Sequence, residues 1–128
     1  MISTSKPEEI RQGQIYVVNF PVSVGSVQAG VRPAVVTSSN GRNKTSPTVI
    51  VAIITSQLKR LDLGEHVLLP RIKGLPKDSM VEAEQRFTVD KKQLIEYRGK
   101  LFWHTWCRVH RALRKSESPG KKEYVSKW

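Results

Sequence analysis

The stretch VQAGVRPAVV, Val27 to Val36, places Arg32 between a glycine-containing loop and a stiff proline, one step before an apolar run. Other polar groups stand at the ends of apolar runs in the same way: Thr55, Ser56 and Gln57 after TVIVAIITS, and Glu84 and Gln85 within SMVEAEQRFTV. An arginine fork and a neighbouring hydroxyl suit a crowded, anionic phosphorus centre. A phosphodiester can be broken without a metal when the substrate brings its own nucleophile, as RNA does in its 2′-hydroxyl. Such a site needs a proton acceptor near that hydroxyl, a proton donor near the leaving 5′-oxygen, and positive charge on the phosphorane.

Other chemistries find less support. His66, His104 and His110 are scattered, with no pair at helical spacing, and Cys107 stands alone. No run has the spacing of a zinc site, so no metal is expected. GSVQAG leads into a strand pattern, whereas a phosphate cradle for a nucleotide should lead into a helix, so no nucleotide cofactor is expected. A Ser-His-Asp set is available in composition, but no nucleophile elbow is visible. Glu82 and Glu84 share a face if their strand is regular. They could do acid–base work, although a solvated strand face is the simpler account. His104 and His110 read as exposed helix residues.

These groups need elements to hold them. QIYVVNF (Gln14 to Phe20) and PAVVTSS (Pro33 to Ser39) read as strands, and TVIVAIITS (Thr48 to Ser56), apolar on both alternating sets, reads as a central strand buried on both faces. HVLLP and SMVEAEQRFTV are two more, joined by the basic turn RIKGLPKD. NGRNKTSP reads as a polar turn, and DKKQLI as a short helix opened by Asp90. In KLFWHTWCRVHRALRK, Phe102, Trp106, Val109 and Leu113 form an apolar helical stripe suited to core packing, with Arg108, Arg111 and Lys115 largely off it. Short strands without helical crossovers followed by a terminal helix predict a mainly β fold, a small antiparallel barrel. Residues 1–12 read as a flexible segment, 13–115 as a single domain and 116–128 as a disordered tail.

The chain has 128 residues and a net charge of +11 from 22 Lys+Arg against 11 Asp+Glu. Residues 98 to 128 carry nine Lys/Arg against Glu117 and Glu123, +7 of the +11. That excess favours a polyanionic partner, although a solvated helix face and basic tail would give the same count. No apolar run approaches the ~20 residues that span a bilayer, and MISTSKPEEIRQG lacks a secretory apolar segment. One cysteine excludes an internal disulfide and fits a reducing cytoplasm.

The pieces RQGQIYVVNF, GSVQAGVRP, SPTVIVAIITSQ, EHV and DSMVEAEQ followed by TVDKKQL, in this order from about Gly13 to Leu94, resemble the MazF/PemK-type (Kid-like) toxins of type II toxin–antitoxin systems. The resemblance implies an SH3-like barrel of about five to seven antiparallel strands, PemK/CcdB-like, with a C-terminal helix. It implies a homodimer and sequence-specific, metal-independent cleavage of single-stranded RNA to 2′,3′-cyclic phosphate and 5′-hydroxyl ends. It also implies restraint by a cognate antitoxin, which for so basic a chain should be acidic. The catalytic pair falls on Arg32 and Thr55, and RNA contacts fall on Ser26, Gln28, Ser56, Gln57, His66, Glu84 and Gln85. Two departures bear on base readout. The family's GSEQ is GSVQ here, with Val27 in place of the acid, and its EQIRT is EQRFT, changing the order at Arg86 and Phe87. A gyrase-poisoning toxin of the same fold, or an RNA-binding module without turnover, are the competing readings. The Arg32 and Thr55 motifs speak against the first of these.

Overall fold

The computed structural model describes residues 7–22 and 29–119. Six strands form one antiparallel sheet: β1 (Gln14–Phe20), β2 (Gly30–Val36), β3 (Thr48–Thr55), β4 (His66–Leu68), β5 (Met80–Asp90) and β6 (Leu94–Lys100). Their order is β4-β5-β3-β2-β1-β6, so β4 and β6 form the edges. A short helix α1 (Asn40–Thr45) joins β2 to β3, a 3₁₀ turn (Lys91–Gln93) joins β5 to β6, and α2 (Trp103–Ser116) follows. The mainly β architecture with a C-terminal helix is the one expected. Among the described residues no helix is long and apolar enough to cross a membrane.

Two apolar clusters lie on opposite faces of the sheet. Val49, Val51 and Ile53 of β3 join Tyr16, Val18, Phe20, Ala34, Val36, Val89 and Leu94. Ala52 and Ile54 of the same strand join Ile15, Val35, Val81 and Ala83 under α2. The central strand is thus buried on both faces, as its unbroken apolar run predicts. Each such Val or Ile side chain removed from water contributes about 1.5–3 kcal/mol. Helix α2 closes the second cluster with Trp106, Val109, Ala112 and Leu113. Arg108, His110, Arg111 and Arg114 remain exposed, as does His104.

Four local expectations need correction. Strand β2 begins at Gly30 instead of Pro33, because Gly30 and Val31 pair with Phe20 and Asn19 of β1. Arg32 therefore lies within the strand, opposite Val18, at the point where β2 passes from exposed to buried. The polar turn after β2 is helical: the Ser39 side chain caps α1 by accepting from the Arg42 N–H. The segment after Asp90 forms only a 3₁₀ turn with a capping box to Gln93, then becomes strand β6. Pairing with the free edge of β1 outweighs local preference there. Phe102 leaves the apolar stripe: it is the N-cap residue of α2 and is 77% exposed, while Leu101 enters the core.

Candidate active site

A cavity of about 630 Å³ opens where the C-terminal end of β3 meets the N-terminal half of β2. Arg32, Thr55, Ser56, Gln57 and Gln85 all line it, together with Lys59, Lys77, Glu82 and Arg98. Arg32 comes from β2, Thr55 from the last position of β3 and Gln85 from β5, so the sheet gathers groups far apart in sequence. The Thr55 hydroxyl oxygen accepts from the Gln57 N–H at 3.1 Å, which fixes the turn leaving β3. A hydroxyl that accepts one bond still has its own proton to donate.

Strand β5 departs from regularity at the site. Ala52 pairs with Arg86, but the next residue, Ile53, pairs with Glu82. Ala83, Glu84 and Gln85 are therefore three extra residues between successive pairs with β3, a bulge that re-aims side chains. Glu82 and Glu84 do not form the plain solvated face of a regular strand: Glu82 is turned into the cavity and its side chain is only 12% exposed. Lys59 Nζ lies 3.8 Å from its carboxylate.

His66 and Glu84 form a pair beside the cavity. His66 Nε2 lies 2.7 Å from Glu84 Oε2, and Nδ1 lies 3.0 Å from the Lys59 carbonyl. A carbonyl accepts only, and so does an ionised carboxylate. Only a protonated ring donates from both nitrogens at once, so these two partners favour the imidazolium form. Burial alone would lower the His66 pKa. The Glu84 hydrogen bond, the Lys59 carbonyl and the charges of Glu84 and Glu82 outweigh burial and raise it above its ordinary value. The ligand-capable atoms of His66, Glu82 and Glu84 all lie within 4.8 Å of one another. Sequence spacing did not foretell this trio, because the β4–β5 pairing of His66 with Glu82 brings it together.

Ser26, Gln28 and the departure at Val27 lie outside the described residues. The second departure has a structural consequence. Arg86 makes an ion pair with Glu117 beyond α2, and Phe87 packs edge-on against Phe20 with ring centroids 5.6 Å apart. Neither points to the cavity lining. Arg98, Lys59 and Lys77 were not singled out in the sequence. They reach the cavity from a bulge and two loops, whose geometry leaves no periodic signal.

Several solved structures share this fold. An endoribonuclease from a mycobacterial species is 20% identical over 85% of this chain and 91% of its own, with a TM-score of 0.70. MazF from Deinococcus radiodurans is 22% identical over 85% and 96%, with a TM-score of 0.71. A mycobacterial endoribonuclease in complex with its cognate antitoxin is 22% identical over 88% and 99%, with a TM-score of 0.70. At sequence level, residues 11–116 match the family described as the PemK-like, MazF-like toxin of type II toxin–antitoxin systems. A match across so much of the chain, on the fold just described, places this protein in the PemK/MazF-like toxin family.

Proposed function

We propose that the chain is a toxin endoribonuclease that cleaves single-stranded RNA through the substrate's own 2′-hydroxyl, leaving 2′,3′-cyclic phosphate and 5′-hydroxyl ends. The observation that carries this reading is that Arg32 and Thr55, from different strands, line one cavity together with Ser56, Gln57 and Gln85. Arg32 presents a fixed cation and hydrogen-bond donors to the phosphorane oxygens, where preorganised charge has its largest effect. Thr55 donates its hydroxyl proton to a non-bridging oxygen. A guanidinium holds its proton too tightly to serve as a base, so Arg32 acts as electrophile and donor towards the leaving oxygen. Among the described residues that line the cavity, Glu82 is the one carboxylate. We assign it to accept the 2′-hydroxyl proton, with Lys59 holding it in place.

Ser56, Gln57 and Gln85 supply donors and acceptors for base edges, the means by which unpaired RNA is read. His66 acts by orienting Glu84 at the rim. The net charge of +11 supports a polyanionic substrate and, for restraint, an acidic antitoxin that folds onto the toxin. We further propose that the working unit is a homodimer in the cytoplasm. The test is incubation of purified protein with a long RNA in excess chelator, followed by sequencing of fragment ends. Discrete cuts with 5′-hydroxyl ends support the reading. Intact RNA with a retarded gel band indicates a binding module, and intact RNA with inhibited gyrase indicates the other toxin class of this fold.

A further inference from the structure

Arg98 occupies an unusual place in the sheet. Ile15 of β1 pairs with Gly99 and Tyr16 with Tyr97, so Arg98 is the extra residue of a bulge in β6. Gly99, with φ of +124°, has the left-handed backbone that lets the strand rejoin β1 after the insertion. The bulge turns Arg98 towards the cavity that Arg32 also lines. The loop at Gly74 packs directly on it: a Cβ at Gly74 would collide with the Arg98 carbonyl. The Gly74 carbonyl accepts from Arg98 Nη1 at 3.3 Å, and Glu96 Oε2 accepts from Nη2 at 3.2 Å. Arg98 Nε is buried without a hydrogen-bond partner.

These contacts orient the guanidinium without using its full capacity. Five N–H donors meet one carbonyl and one half-exposed carboxylate. Arg98–Glu96 is a half-exposed pair two residues apart on one strand, and water-facing pairs contribute little, so Glu96 competes weakly with another anion. The cavity lining supplies the reason for exchange: among its described residues Arg32, Lys59, Lys77 and Arg98 outnumber the one carboxylate, Glu82, even with Glu96 held against Arg98. Strands β2 and β6 flank β1, and Arg32 lies opposite Val18 while Arg98 lies between the partners of Ile15 and Tyr16, so their backbones stand roughly 12 Å apart. That separation suits two different phosphates of one strand better than a shared one.

We infer that Arg98 is a second phosphate-binding residue, gripping an RNA phosphate that flanks the one at Arg32. The inference rests on the ribonuclease reading above, and it deepens that reading by making the cavity a two-arginine clamp on the RNA backbone. Arg98 binds and does no chemistry.

The test pairs an all-2′-deoxy oligonucleotide, which cannot be cut, with the same sequence as RNA. Arg98→Ala should weaken binding of the deoxy strand and raise KM for RNA, each by roughly tenfold, as for one charge-assisted contact. The kcat should stay within about twofold, because uniform binding is what is lost. The slope of log affinity against log salt should shrink by about 0.7, the single-strand value per phosphate. Arg98→Lys should restore the slope but only part of the affinity, since the fork is gone. If Arg98→Ala melts early for want of the Gly74 bond, Arg98→Met, which keeps the apolar stem, decides in its place. A folded variant with unchanged deoxy-strand affinity, KM and salt slope overturns the inference. If wild-type protein cuts RNA and Arg98 has no effect, the clamp alone fails. If it cuts nothing while deoxy-strand binding still depends on Arg98, the nuclease reading fails and the phosphate site stands.

Discussion

Arg32 sits where β2 changes from exposed to buried, so its side chain can be removed without opening the core beneath Val35 and Val36. Arg32→Ala should lower kcat/KM for RNA by about 10²–10³-fold or more, the range for losing one preorganised donor at a developing charge. The melting temperature should not move; a matching fall would mean that the arginine serves folding. Glu82→Gln keeps the shape and removes the proton acceptor. It should lower kcat by about 10²–10⁴-fold with little change in KM, as for a general base. His66 makes a prediction about pH. Its pKa is raised in the folded protein, so the stabilisation it gives is complete below the unfolded value of about 6.5 and is lost as pH climbs through the folded value. As pH rises above the unfolded value of about 6.5, wild-type protein should therefore lose stability that His66→Gln does not lose. Melting curves across that range check it, and parallel pH profiles for the two proteins would remove His66 from the account.

Elements differ in how plainly the sequence announces them. Strands β1 and β3 are legible because β-branched and aromatic residues fill long runs, β5 from Val81 and from Phe87 to Val89 at its two ends, and α2 from Trp106, Val109 and Leu113. Strand β6 is not, because its pairing partner β1 lies some 80 residues earlier and its own residues, LIEYRGK, carry mixed signals. The site divides along the same line. Arg32, Thr55 and Gln85 could be picked out because they stand in short motifs that border apolar runs or resemble the family's. Glu82 is visible only as one of two carboxylates on an assumed regular strand, and Arg98 not at all, because a bulge decides where each points, and bulges arise from pairing across the sheet. Gly74 tests that dependence at the scale of an element. The loop carrying it is packed so closely on the β6 bulge that any side chain meets the Arg98 backbone. Gly74→Ala should cost about 1–3 kcal/mol, as forced overpacking does. It should also raise KM for RNA by displacing Arg98, whereas a stability loss with unchanged KM would detach the loop from the site.

On the scale of the whole molecule, two populations of charge do different work. Arg32, Lys59, Lys77 and Arg98 line the cavity, where the proposed function has them act by contact. Arg108, Arg111 and Arg114 lie exposed on α2, Arg108 with one donor to the Leu68 carbonyl at the edge of the sheet, and none of them lines that cavity. Charges of the second kind act through the long-range field, which guides a polyanion to the surface and sets the rate of encounter. The separation is measurable because the two effects respond differently to salt. The Debye length is about 10 Å at 0.1 M salt and about 3 Å at 1 M, so the field collapses while contacts persist. Replacing Arg108, Arg111 and Arg114 together by Gln should slow RNA association by roughly tenfold at low salt, within the range of electrostatic steering. The difference from wild type should close as salt approaches about 1 M, where screening removes the field. The dissociation rate and the kcat at saturating RNA should stay near wild type, because no cavity contact has changed. Stopped-flow binding over a salt series makes the comparison. A faster dissociation rate in the triple variant would mean that α2 itself touches the RNA, and the division between guiding and gripping charges would have to be abandoned.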